Sequence, residues 1–142
     1  MNNKRKFRSL TVSSKTENVG YVIKNLEGFC QEQNIEKKLI ETLSYATDEA
    51  VTNIVLHAYS GRTDGIIKVT FSIDSNLFYI ELIDYGKSFK PIKMTKKDQV
   101  ESKNPTVGGY GLIIMNSLMD ELQYDHNLKE NANYLTMKKY IN

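Results

Sequence analysis

Glu49 and Asn53 are two polar residues whose types and spacing could bind a nucleotide through a cation. Residues four apart on a helix project from one face, with Cβ atoms about 5–6 Å apart. Asparagine is a mediocre helix former, so its place in mid-helix favours a specific use, such as ligation of Mg²⁺ by its side-chain oxygen. A carboxylate one turn away could deprotonate an attacking oxygen. A solvated polar face produces the same spacing. His57 continues the row, although a histidine near a helix C-terminus is usually explained by the helix dipole.

Two further motifs have chemistry that complements a bound cation. Asp84-Tyr85-Gly86 ends a hydrophobic strand, where a carboxylate can accept a hydrogen bond from an amine such as that of adenine. A glycine there lets a flat ring approach the backbone, although ordinary turns have the same composition. Gly108-Gly109-Tyr110-Gly111 precedes a predicted helix, whose free N–H groups can face an anion. Together the three motifs predict one adenine-nucleotide site for ATP and Mg²⁺.

Hydrophobic periodicity defines the elements that must position these motifs. Apolar residues three and four apart predict helices over residues 17–33, 35–57 and 112–119, with Asn34 ending the first. Apolar alternation predicts strands over residues 7–12, 66–73, 77–83, 121–125 and 134–140. This order indicates an α+β fold, a two-layer α/β sandwich whose mixed, mostly antiparallel sheet carries helices on one face. The stretch 84–108 has little apolar content, and loops of that length are usually functional lids or disordered.

Length and composition fit a single domain spanning residues 1–142. Hydrophobic residues make up 40% and charged residues 25%, which is typical of a soluble globular protein. A formal net charge of +2 is too small to indicate nucleic acid, and no apolar run approaches the roughly 18 residues of a membrane span. The single cysteine, Cys30, excludes an intrachain disulfide framework. With no signal-peptide core, we expect a cytoplasmic protein without nucleic acid or membrane as a direct partner.

The sequences of these motifs resemble those of the GHKL (Bergerat-fold) ATPase superfamily. Within it, they are most similar to the anti-sigma-factor serine/threonine kinase branch. Residues 43–59 are similar to the N box of that branch, 84–91 to its G1 box and 108–112 to its G2 box. Residues 115–124 also match the branch. The resemblance covers nearly the whole chain, and the N box with its Ala-Tyr ending is its most specific part.

The resemblance implies a role for each matching residue. Glu49 would be the general base that activates a serine or threonine hydroxyl, or a water, and Asn53 would hold Mg²⁺ against the triphosphate. Asp84 would read the adenine amino group, and Gly86 would make room for the ring. The other cofactor-binding residues would be Gly109, Tyr110, Gly111, Leu112 and Asn133, with Gly109 and Gly111 freeing backbone amides to cradle phosphates. Residues 87–107 would form the ATP lid.

Three positions depart from the pattern of the branch. Ser88 stands where members often have a glycine, and no arginine accompanies the glycines of the G2 box. Ala132-Asn133 stands where many members have Gly-Thr, next to the adenine. ATP binding remains the expectation, and catalytic turnover is left open.

The resemblance implies an ATP-binding regulatory serine/threonine-protein kinase. It would phosphorylate an anti-sigma-factor antagonist and sequester a sigma factor in a partner switch. The alternative is a non-catalytic, ATP-dependent protein-binding module in such a circuit, but Glu49 favours the kinase because binding requires no base. A histidine-kinase fragment fits less well, since the chain has no room for a phosphoacceptor helical hairpin. By analogy with the branch, we expect a homodimer formed through the sheet.

Overall fold

The computed structural model describes residues 5–88 and 115–141. Strand β1, Lys6–Ser13, leads into helices α1, Asn18–Glu32, and α2, Lys37–Asn53, and a π-helical turn, Ile54–Ala58, continues α2. The remaining strands are β2, Ile66–Asp74, β3, Leu77–Asp84, β4, Glu121–Asn127, and β5, Ala132–Tyr140. Residues 115–118 are helical and belong to the predicted third helix, whose first residues lie outside the described ranges. Among the described residues, no helix is long and apolar enough to cross a membrane.

The five strands form one sheet in the order β1-β2-β3-β5-β4. The α+β architecture is confirmed, but all four pairings are antiparallel, so the described sheet is more uniform than the mixed sheet that was predicted. A parallel neighbour usually requires a crossover through one helix, whereas two helices separate β1 from β2. Because β5 inserts between β3 and β4, Asn133 lies directly opposite Asp84.

The core lies between the helices and one face of the sheet. Alternate residues of the central strands point into it, including Val69 and Phe71 of β2 and Phe78 of β3. Phe29 of α1 packs on this face, with its ring centroid 6.4 Å from that of Phe71 and 5.9 Å from that of Phe78. Burial of such aromatic pairs, about 1.5–3 kcal/mol for each fully buried side chain, joins the helical layer to the sheet.

Asn34 ends α1 as predicted, by adopting a left-handed conformation with φ of 58°. Ile35 N donates to Cys30 O at 3.0 Å, and Asn34 N donates to Gln31 O at 3.1 Å. This is the pattern of a Schellman motif, which satisfies the last carbonyls of a helix. The cap turns the chain sharply and thereby sets where α2 begins.

The second helix differs from its prediction at its C-terminal end. The α-helical hydrogen bonds stop at Asn53, and Tyr59 N donates to Ile54 O, five residues back, at 3.1 Å. A π-helical turn has more residues per turn than an α-helix, so it changes the direction of the side chains that follow. His57 lies within this turn, and its predicted place in the row of Glu49 and Asn53 stays a prediction.

Candidate nucleotide-binding site

Asp84, the last residue of β3, lies at the centre of a buried hydrogen-bonded cluster. Its Oδ1 accepts hydrogen bonds from Gly86 N at 2.9 Å and from Asn133 Nδ2 at 2.8 Å. Asn133 Nδ2 also donates to the carbonyl oxygen of Gly86 at 3.1 Å. The structure thus brings three of the predicted site residues together where β3 ends and β5 begins.

The electrostatic environment of Asp84 is that of a desolvated carboxylate. Burial raises the pKa of Asp84 above its ordinary value, while the hydrogen bonds from Asn133 and Gly86 and the proximity of His126 oppose that rise. These donors stabilise the charged form, but they do not compensate fully for the loss of water. One more donor, such as an amine on a purine, would favour the ionised carboxylate further.

Gly86 is constrained by a contact that sequence reasoning missed. A Cβ at this position would lie 2.4 Å from the carbonyl oxygen of Ala58 and 2.6 Å from its carbonyl carbon. The next residue, Lys87, donates its N–H to the same oxygen at 2.7 Å. The glycine therefore lets the chain after β3 pack against the π-helical turn. Its predicted role beside the base remains a prediction.

Tyr59 is the second residue whose role sequence reasoning missed. Its hydroxyl donates to Ile66 O at 2.6 Å and accepts from Tyr85 N at 2.7 Å. Its ring occupies the space where a Cβ on Gly65 would lie, at 2.5 Å. The Ala-Tyr ending of the N box thus joins the end of the α2 segment to both β2 and β3. The signal was present in the sequence, as an aromatic residue followed by a glycine before an apolar strand.

Asn53, at the end of α2, has the properties expected of a ligand-binding amide. The residue is only 5% exposed, and its Nδ2 is buried with no hydrogen-bond partner among the described residues. Such an unpaired group costs about 1–3 kcal/mol, which a ligand could offset. Rotation about the terminal torsion exchanges the amide nitrogen and oxygen, so the side chain can present a donor to phosphate or an oxygen to a cation. These properties fit ATP and Mg²⁺, and the π-helical turn that follows is a feature frequent at functional sites.

Glu49 lies one turn before Asn53 and is half-buried. Burial raises the pKa of its carboxyl, and the neighbouring charge of Asp48 raises it further. A carboxylate with a raised pKa binds a proton more strongly, which suits a general base. The predicted chemistry of Glu49 therefore has a physical basis in its surroundings.

The remaining predicted residues divide between described and undescribed parts of the chain. Gly109, Tyr110, Gly111 and Leu112 lie outside the described residues, and so does most of the predicted lid, 87–107. Of that lid, Lys87 and Ser88 are described, and the Ser88 hydroxyl lies 3.1 Å from the Tyr124 hydroxyl. The α2 residues connect to the Asp84 cluster through Ala58, which contacts Gly86.

A cleft of about 440 Å³ lies beside the Asp84 cluster. Its lining includes Tyr59, Tyr85, Gly86, Lys87 and His126. This volume falls in the range typical of small-molecule sites. The described residues alone thus form a concave surface next to the carboxylate that was predicted to read the base.

Comparison with known proteins places these features in a family. Residues 12–139 match the histidine kinase-like ATPase domain. The chain is 31% identical to Serine-protein kinase RsbW of Listeria innocua, and the alignment covers 94% of this chain and 87% of the relative. It is 33% identical to the Staphylococcus aureus protein of the same name, over 99% of this chain and 91% of the relative.

A solved structure supports the fold independently. The RsbU and RsbW domains of a Mycobacterium tuberculosis protein superpose with a TM-score of 0.70 at 17% identity, over 96% of this chain. The chain spans about a third of that structure, 32% of its length. From the match over residues 12–139 and the relatives aligned along nearly their whole length, the chain belongs to the family of histidine kinase-like ATPase domains.

Proposed function

We propose that this protein is an ATP-dependent serine/threonine-protein kinase of the anti-sigma-factor type. In this proposal it phosphorylates an anti-sigma-factor antagonist and sequesters a sigma factor, so that phosphorylation decides which partner is bound. The name of the relatives, Serine-protein kinase RsbW, supports a protein substrate, and their similarity extends along nearly the entire chain.

The position of Glu49 is the observation that carries the proposal. Glu49 lies one helical turn from Asn53 and also lines a groove of about 430 Å³ between α1 and α2. The groove is open to the surface and includes Ile23, Ile40 and Tyr45. If Asn53 holds the phosphates, Glu49 would lie one helical turn from them and would also line the groove, where a hydroxyl carried by another protein could enter. A module that only bound ATP would have no need of such a base.

The mechanism follows from what each residue contributes to positioning and charge. Asn53 would hold Mg²⁺ and the triphosphate of ATP, and Asp84 would accept a hydrogen bond from the adenine amine. Glu49 would take the proton of the attacking hydroxyl. The hydroxyl oxygen forms a bond to the γ-phosphorus as the bond to ADP breaks. Mg²⁺, when bound, neutralises the charge that develops on the phosphate oxygens. The protein's part is largely alignment, which by itself can supply several orders of magnitude in rate.

The proposal extends to assembly and location. We infer a homodimer formed through the face of the sheet that the described helices leave open. We also infer a cytoplasmic location, because the proposed sigma-factor partner acts there.

The proposal is tested by incubating the protein with γ-labelled ATP, Mg²⁺ and the antagonist domain encoded in the same genome. We expect phosphoserine or phosphothreonine on the antagonist. Glu49→Gln should lower the rate of transfer by about 10²–10⁴-fold, because the general base is lost, while the Kd for ATP changes little.

Glu36→Gln is the matched control, since it removes an exposed carboxylate just before α2 and should transfer at the wild-type rate. If the wild-type protein binds ATP tightly but transfers no label to the antagonist, the proposal of kinase activity is wrong. The alternative, a non-catalytic ATP-dependent binding module, then describes the function better.

A further inference from the structure

Asn133 is held at both ends of its side-chain amide. Its Nδ2 donates to Asp84 Oδ1 and to Gly86 O, as described above, and its Oδ1 accepts from the Tyr124 hydroxyl at 3.0 Å. The same Oδ1 lies 2.7 Å from His126 Nδ1. An asparagine amide has two donor hydrogens and two acceptor lone pairs, so all four are used. The amide, which is only 1% exposed, is therefore fixed in one orientation.

The direction of these hydrogen bonds follows from the carboxylate at one end. Asp84, when ionised, only accepts, so the nitrogen of the Asn133 amide must face it and the oxygen must face β4. His126 then has to donate from Nδ1, and Tyr124 has to donate its single hydroxyl hydrogen to Asn133. Since Tyr124 has no second hydrogen, the Ser88 hydroxyl, 3.1 Å away, donates to it. Two side chains of β4 thus determine the orientation of an amide on β5.

The two carboxylate oxygens of Asp84 differ in their hydrogen bonding. Both hydrogen bonds that Asp84 receives end on Oδ1, and within residues 5–88 and 115–141 none reaches Oδ2. Because Asn133 and Gly86 fix Oδ1 from two directions, the rotation of the carboxylate is fixed as well. In this part of the chain, Oδ2 is the Asp84 acceptor that remains for a ligand.

We propose that Asn133, oriented by Tyr124 and His126, is a positioning residue that directs Asp84 Oδ2 toward the 6-amino group of a purine and thereby sets the preference for adenine. The inference rests on the proposed use of ATP. A threonine at this position would have a single donor, whereas the amide has two and joins Asp84 Oδ1 to Gly86 O at the same time. Asn133, which stands where many members of the branch have threonine, thus fixes the Asp84 carboxylate by a different set of hydrogen bonds.

The test compares the affinity of the full-length protein for two nucleotides, ATP and purine riboside 5′-triphosphate, which lacks only the 6-amino group. The wild-type protein should bind ATP about tenfold or more tightly than the analogue, because one charge-assisted hydrogen bond distinguishes them. Asn133→Ala should reduce this ratio severalfold toward one, and Asn133→Thr should keep part of it. A general loss of packing would weaken both nucleotides equally and leave the ratio unchanged, which would overturn the proposal.

Tyr124→Phe provides a milder variant in case Asn133→Ala does not fold. It removes one donor to the Asn133 amide and keeps the ring, so the ratio should fall by about two- to threefold. Gln123→Ala is the matched control on the same strand, at an exposed position, and should have the wild-type ratio.

The measurement separates this inference from the kinase activity because it requires only binding. A ratio that falls in Asn133→Ala supports the inference even if no antagonist is phosphorylated. A wild-type protein that binds both nucleotides equally contradicts the inference and leaves phosphoryl transfer to be decided by the labelling experiment.

Discussion

At the scale of single residues, burial prepares two polar side chains for a ligand in different ways. Asp84 is an almost buried carboxylate whose pKa is raised because desolvation outweighs its hydrogen bonds. Asn53 is neutral, and its Nδ2 lacks a partner among the described residues. Both conditions lower the free energy of unfolding of the nucleotide-free protein, and both are relieved by a ligand that supplies the missing partner.

Replacing Asp84 should therefore stabilise the protein while weakening ATP binding. Asp84→Asn keeps an oxygen that can accept from Gly86 N and Asn133 Nδ2, but it removes the buried charge. Near neutral pH we expect the Tm to rise by about 2–4 °C, the effect of roughly 1 kcal/mol in a domain of this size. The Kd for ATP should increase, because an amide accepts less strongly than a carboxylate.

The sign of the pH dependence follows from the raised pKa of Asp84. A carboxyl whose pKa is raised on folding destabilises the native state when ionised, and this penalty disappears as the pH falls through the folded-state pKa. The Tm advantage of Asp84→Asn should thus be largest at neutral pH and shrink under acidic conditions. Thermal unfolding across this range measures it, and an advantage that grew toward acidic pH would contradict the assignment.

At the scale of elements, the site depends on how the end of α2 meets the end of β3. The π-helical turn carries Ala58 against Gly86, and the carbonyl of Ala58 accepts from Lys87 N. This contact involves backbone on both sides, so neither partner can move aside easily. It sets the distance between the helix that carries Asn53 and the strand that carries Asp84.

A methyl group at Gly86 should separate these two elements. Gly86→Ala would place its Cβ against the backbone of Ala58, and overpacking of this kind typically costs 1–3 kcal/mol. We expect a lower Tm and weaker ATP binding, measured by thermal unfolding and calorimetry.

Gly20→Ala is the matched control, because a Cβ at Gly20 meets no atom within 4 Å. Alanine is the better helix former by about 1 kcal/mol, so this variant should raise the Tm and leave the ATP affinity unchanged. Equal effects of the two substitutions would show that the contact with Ala58 is unimportant.

Local patterns account for the parts of the fold that could be predicted from sequence. Alternation located the strands, three- and four-residue spacing located the helices, and Asn34 marked the end of α1. The π-helical turn was missed because it differs from an α-helix by the choice of one carbonyl over its neighbour, which leaves the apolar spacing almost unchanged. The resemblance assigned Asn133 to the adenine side. Its hydrogen bond to Asp84 required the β3–β5 pairing across 49 residues, which no local pattern encodes.

At the scale of the whole molecule, helices cover one face of the sheet, and among residues 5–88 and 115–141 no element covers the other face, called the open face here. Arg8 of β1 reaches α1, where its Nη1 donates to Asn25 O at 3.2 Å, so its neighbour Phe7 points to the opposite side. Phe7, Ile66 and Tyr140 are large apolar side chains of this open face, between 48% and 65% exposed. These three side chains lie at separate places on the open face, so their part in association is a prediction that rests on the proposed homodimer.

Charges on the open face should dissociate the proposed homodimer. In a two-fold symmetric interface each substitution occurs twice, so Phe7→Glu or Ile66→Glu would bring like charges together on desolvated surface. Sedimentation velocity should show the wild-type protein as a dimer and these variants as monomers. Leu128→Glu, at an 86% exposed site in the loop between β4 and β5, should remain dimeric. A monomeric wild-type protein would contradict the prediction.

The hydroxyl of Tyr59 has a thermodynamic consequence for binding. It holds the backbone of Ile66, at the start of β2, and of Tyr85, the residue that follows β3, and neither hydrogen bond needs a nucleotide. The conformational entropy of this part of the chain is therefore lost during folding and not during association. A ligand that docks beside Tyr85 meets a surface whose ordering is already complete, and the entropic penalty of preparing that surface does not enter its dissociation constant.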